Sequence, residues 1–85
     1  MKKVHFVGIG GIGLSALARY LKQEGYIISG SDIKATKITH SLEDEGMSVV
    51  IPHSETCITD QDLVVYSAVI KDDNIELIKA REKGI

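Results

Sequence analysis

The run Gly8-Ile9-Gly10-Gly11-Ile12-Gly13 restricts this chain more than any other feature. Its spacing is G-x-G-x-x-G, and it lies where that spacing has a mechanical meaning, after a strand-like segment and at the opening of a helix-like one. Lys3 to Ile9 is apolar and rich in β-branched and aromatic residues, the pattern of a strand buried on both faces. From Gly11 onward, Leu14, Leu17, Ala18 and Leu21 recur at i, i+3, i+4 and i+7, which makes one apolar helix face. In such a strand–turn–helix Gly8 permits the tight turn, Gly10 lets a diphosphate approach the backbone, and Gly13 lets the helix pack closely on the strand. The first amides of the helix, at the positive end of its dipole, then face the phosphates. A turn that serves close packing alone is the other explanation of the same glycines.

The rest of the chain alternates. Gly25 ends the first helix and Tyr26 to Gly30 reads as a second strand. Lys37 to Glu45 reads as a helix with Thr36 as N-cap and Gly46 as terminator. Ser48 to Ile51 is a third strand, stopped by Pro52, and His53 to Gln61 is a polar loop. Asp62 to Ser67 carries a fourth strand, and Asp73 with Glu76 resembles a capping box that opens a helix through Lys83. This order predicts one α/β domain over residues 1–85, a Rossmann-like, doubly wound parallel sheet with strand order 3-2-1-4. A fifth strand would ordinarily begin where the chain stops, so truncation is expected.

Composition closes off several functions. Ten Lys and Arg against twelve Asp and Glu give a net charge of -2, without the basic field that a nucleic acid or an anionic membrane needs. Aromatics are 5% with no Trp, too few for a base-stacking platform. One cysteine, Cys57, excludes an internal disulfide; no Cys or His spacing suggests a metal site, and no basic or His neighbour in sequence activates the thiol. The glycines interrupt the apolar N-terminus, so it does not read as a secretion signal. No segment reaches the roughly 18 apolar residues of a membrane span. The expected compartment is the cytoplasm.

In an open parallel sheet, ligands bind beyond the carboxyl ends of the strands. The glycine turn follows the first strand, Ser31-Asp32 the second, His53-Ser54 the third, and Ser67 ends the fourth, so all share one rim. Asp32 lies where an acidic side chain accepts from a ribose hydroxyl, although a turn or capping aspartate fits as well. His53 is a candidate donor to a base or phosphate, and equally a solvated loop histidine. Ser67 suits a phosphate, a sugar or its own backbone. His5 reads as a core or edge residue and His40 as solvated. No nucleophile–base pair, no catalytic carboxylate pair and no G-x-x-x-x-G-K-[ST] loop is present, so binding without catalysis is expected. A dehydrogenase NAD domain and a non-enzymatic nucleotide-sensing module are the competing readings.

The blocks His5 to Ser15, Ser29 to Asp32, Pro52 to Ser54, Ser67 to Val69 and Asp73 to Glu76 resemble, in order, the N-terminal domain of the Mur ligase family of peptidoglycan synthesis. The resemblance implies that the domain holds the UDP part of UDP-N-acetylmuramate. The segment from Gly10 to Ser15, including Gly11, Ile12 and Gly13, would cradle the diphosphate, and Asp32, His53 and Ser67 would lie around uridine and phosphates. It also implies ATP, Mg2+ and L-alanine as reactants held by further domains. Two positions depart from the family pattern. Ile75 replaces a proline at a helix start, and Tyr66 replaces the first of two serines before Ala68.

Overall fold

The computed structural model describes residues 2–85. Four strands, β1 (Lys3–Val7), β2 (Ile27–Ser31), β3 (Ser48–Val50) and β4 (Leu63–Tyr66), form one sheet. Its order is β3-β2-β1-β4 and every pairing is parallel, as expected from the alternation of elements. Three helices connect or follow them: α1 (Ile12–Gln23), α2 (Lys37–Asp44) and α3 (Ile75–Glu82). The chain steps outward from β1 through β2 to β3, then returns to the other side of β1 for β4. The carboxyl ends of β1 and β4 thus flank the switch point of the sheet.

Alternation along the strands separates two faces. Val4, Phe6 and Ile28 meet Ala18 of α1 and Leu42 of α2, with Ile9 and Met47, in the apolar core. His5, Ser29 and Ser31 have the opposite parity and face α3. The first strand is therefore buried on both faces, and the second of them mixes the apolar Val7 with the polar His5. Within α1, Leu14, Ala18 and Leu21 face the core, whereas Leu17 is 39% exposed and the buried Ser15 shares the inner face.

Local chemistry sets the boundaries. Thr36 caps α2 by accepting from Thr39 N–H, and the Thr39 hydroxyl oxygen accepts in return from Thr36 N–H. Glu55–Cys57 forms a short 3-10 turn within the polar loop, and the Ile51–Pro52 peptide bond is cis. The N-cap of α3 is Asn74, not Asp73: its side chain accepts from Glu76 N–H at 2.8 Å. The expected Asp73–Glu76 capping box does not form, because the Glu76 carboxylate turns inward beneath the sheet. No helix among the described residues is long and apolar enough to cross a membrane.

Candidate functional site

A cleft of about 560 Å³ opens at the carboxyl ends of the strands. Gly8, Gly11, Ile12, Gly13, Asp32, His53 and Ser67 all line it, together with Leu14, Ile33, Val69 and Ile70. Seven of the nine residues expected at a ligand site therefore converge. Gly10 and Ser15 do not line it. Ser15 is buried in α1, where its hydroxyl donates to Ile12 O at 3.1 Å.

Gly8 adopts φ +88°, the left-handed region, and so makes the tight turn out of β1. Ser31 O accepts from both Gly8 N–H at 2.8 Å and Ile9 N–H at 3.0 Å, which fastens the turn to the end of β2. The roles of two other glycines differ from expectation. A Cβ on Gly10 would meet Asp32 Oδ2 at 2.7 Å, so Gly10 makes room for that carboxylate. A Cβ on Gly13 would meet nothing within 4 Å, so it does not bring helix and strand together. The close approach falls at Gly30 instead, where a Cβ would lie 2.4 Å from Ile9 Cδ1, so the missing side chain makes room for the turn after β1 against β2.

The N-terminus of α1 carries the donors. Gly11 is its N-cap and offers no side chain to the amides above it. Gly11 N–H donates to Gly8 O, and Ser15 N–H donates to Gly11 O. The amides of Ile12, Gly13 and Leu14, which lie between them, have no acceptor among the described residues. They lie at the positive end of the helix dipole beside the cleft, and no Lys or Arg lines that cleft. An anion bound here would rest on backbone amides and a dipole.

Asp32 staples the turn. Its Oδ2 accepts from Gly10 N–H at 2.7 Å and its Oδ1 from Ile33 N–H at 2.7 Å, the turn role that the sequence had left open. Ser67 O accepts from Ile70 N–H at 3.0 Å and shapes the opposite wall. His53 is held from behind, with Nδ1 2.7 Å from Ser31 Oγ.

Behind His53 lies a group that sequence reasoning missed. Glu76 is fully buried, and its Oε1 accepts from His5 Nε2 at 2.6 Å and Ser31 Oγ at 2.8 Å. Its Oε2 accepts from Ser54 N–H at 2.8 Å. His5 in turn pairs through Nδ1 with Ser29 Oγ at 2.8 Å. Burial pushes the Glu76 carboxyl up, but the bonds from His5, Ser54 N–H and Ser31 outweigh it and hold the group below its usual range. The helical spacing of Glu76 with the buried Ala80 was the available signal, since i and i+4 share a face.

Cys57 also differs from its sequence reading, for it has a histidine nearby in space. His5, Cys57 and Glu76 each present a ligand atom within 4.8 Å of the others. Burial, followed by the charge of Glu76, pushes the thiol up, so it remains unreactive. The 2.6 Å contact between His5 and Glu76 leaves no gap for an ion between them.

Comparison with known proteins places this architecture. The family model described as "Mur ligase family, catalytic domain" matches residues 3–85. A UDP-N-acetylmuramate–L-alanine ligase of Campylobacter curvus is 64% identical over all 85 residues, which make up 20% of that protein. The crystal structure of a UDP-N-acetylmuramate–alanine ligase from Thermotoga maritima superposes with a TM-score of 0.96 at 40% identity, over 100% of this chain and 20% of that one. A UDP-N-acetylmuramate:L-alanyl-gamma-D-glutamyl-meso-diaminopimelate ligase from Neisseria meningitides gives 0.89 at 27% identity, over 100% and 27%. The chain thus spans about a fifth of the length of the first two relatives. With the family model covering nearly every residue and the fold reproduced throughout, this chain belongs to the Mur ligase family.

Proposed function

We propose that this chain binds the uridine diphosphate part of UDP-N-acetylmuramate for the ATP-dependent ligation of L-alanine in the cytoplasmic synthesis of peptidoglycan precursors. One observation carries the reading: three backbone amides at the start of α1, those of Ile12, Gly13 and Leu14, have no acceptor among the described residues and lie beside a cleft that no Lys or Arg among them lines. A diphosphate suits such a site because its oxygens accept from amides at a helix N-terminus, where the dipole favours negative charge. Gly11 and Gly13 keep the approach free of side chains, while His53, Ser67 and Asp32 stand around the nucleoside and phosphates. The names of the relatives point to the same substrate.

ATP and Mg2+ belong to the reaction but find no fitting residues here. The chain has no G-x-x-x-x-G-K-[ST] loop. The cluster of potential metal ligands found among the described residues, His5, Cys57 and Glu76, combines nitrogen, sulfur and oxygen donors, whereas Mg2+ takes oxygen. The contribution of these residues is to hold and orient the nucleotide end of the substrate.

Calorimetric titration with UDP-N-acetylmuramate and, separately, with NADH tests the reading. The UDP-sugar is expected to bind and NADH to bind far more weakly. Tight NADH binding without UDP-sugar binding would instead favour a dehydrogenase domain.

A further inference from the structure

The hydrogen inventory of the buried network decides the state of the histidine that lines the cleft. Ser31 has a single hydroxyl hydrogen. Its Oγ lies 2.8 Å from Glu76 Oε1, and a carboxylate can only accept, so the hydrogen is directed there. The same Oγ lies 2.7 Å from His53 Nδ1. With its own hydrogen committed, Ser31 can only accept from that nitrogen, and Nδ1 must carry the ring proton. His53 Nε2 has no hydrogen-bond partner among the described residues. No buried side-chain nitrogen or oxygen among the described residues lacks one, so Nε2 is open to solvent, on a ring that lines the cleft. A neutral ring protonated at Nδ1 presents Nε2 as an acceptor.

We propose that Glu76, acting through Ser31, locks His53 in the Nδ1–H tautomer, so that its Nε2 accepts a hydrogen bond from a donor of the bound nucleotide, a ribose hydroxyl or the imide N–H of the base. This rests on the nucleotide reading of the cleft and divides its work. The amides of α1 take the diphosphate, and His53 selects the nucleoside. A diphosphate diester has no hydrogen to give at neutral pH, so a ring protonated at Nδ1 alone offers it no bond. Glu76 and Ser31 are positioning residues: neither lines the cleft, and both act through the orientation and proton placement of His53.

The lock is read directly from nitrogen-15 spectra of the histidine-labelled 85-residue chain at pH 8, above the usual histidine range, with His53 assigned through its loss in His53→Asn. The expected spectrum shows the Nδ1–H form in the wild type and a shift toward Nε2–H in Ser31→Ala. A wild-type ring in the Nε2–H form overturns the proposal, and so does a tautomer indifferent to Ser31→Ala. If that variant does not fold, the wild-type spectrum decides alone.

The acceptor role is read from titrations with UDP, 2′-deoxy-UDP, 3′-deoxy-UDP, N3-methyl-UDP and inorganic pyrophosphate. His53→Ala should weaken UDP about tenfold, the weight of one hydrogen bond, and leave pyrophosphate unchanged. The analogue lacking the true donor should show the same loss in the wild type and no further loss in His53→Ala. Equal weakening of pyrophosphate by His53→Ala, or analogues that all bind as UDP does, overturns the assignment. If neither UDP nor pyrophosphate binds, the nucleotide reading fails and takes the acceptor role with it, while the spectrum of the free chain still reports whether the lock exists.

Discussion

Ser31 connects the two halves of the site through one residue. Its carbonyl fastens the glycine turn and its hydroxyl joins Glu76 to His53. Glu76 completes that connection at the cost of burying a carboxylate, which is tolerated because three donors meet it. Glu76→Ala leaves those donors facing a void, and a loss of about 3–5 kcal/mol in unfolding free energy is expected from urea titration. Because the folded carboxyl titrates below its ordinary value, the unfolded chain takes up the proton first as the pH falls. The stabilisation is whole above the usual glutamate range and is lost as the pH drops through the lower, folded value. Urea titrations between about pH 5 and pH 3 should show this decline, and Glu76→Gln, which has no carboxyl to titrate, should show less of it.

Among the elements, α1 and the strands beside it assign different duties to glycines that look alike in sequence. Gly13 stands in the first turn of a helix with open space where a side chain would go. Gly13→Ala should therefore raise stability by about 0.5–1 kcal/mol, by restricting the unfolded chain, while weakening UDP binding by filling the approach to the amides. Gly30→Ala should do the reverse to the fold. Its Cβ would overlap Ile9 at 2.4 Å from Cδ1 and 2.6 Å from Cβ, and the second of these cannot swing away. A loss of about 1–3 kcal/mol follows from such overpacking. Thermal melts of the two variants, paired with calorimetric titration, separate packing from binding. Helix α3 shows a similar mismatch between pattern and placement. Ile75 and Ile78 are half exposed while Glu76 is buried, because the surface that receives this helix carries His5, Ser29 and Ser31.

On the scale of the whole molecule, the return of the chain from β3 to β4 across β1 creates the cleft. One wall comes from the turn after β1 and the other from the segment after β4, so neither strand pair alone would form it. The chain has no ATP loop, and with the proposed nucleotide site alone, alanine-dependent phosphate release from ATP should stay at background when this chain is assayed by itself. Turnover above background would place chemistry within these residues and overturn the proposed role as a binding unit.

The alternation of strand and helix patterns, the glycine spacing and the cap at Thr36 are local properties, and the sequence by itself determined the parallel α/β order, the turn and the rim on which Asp32, His53 and Ser67 meet. Short-range geometry suffices for these because a strand end dictates where the next residues emerge. What Glu76 does was invisible at that range, since its partners come from β1, β2 and the loop after β3, and only packing α3 against the sheet brings them within 3 Å. The duties of Gly10, Gly13 and Gly30 were likewise decided in three dimensions. A missing Cβ can be read from a sequence, but which atoms occupy the space it leaves depends on the neighbouring elements.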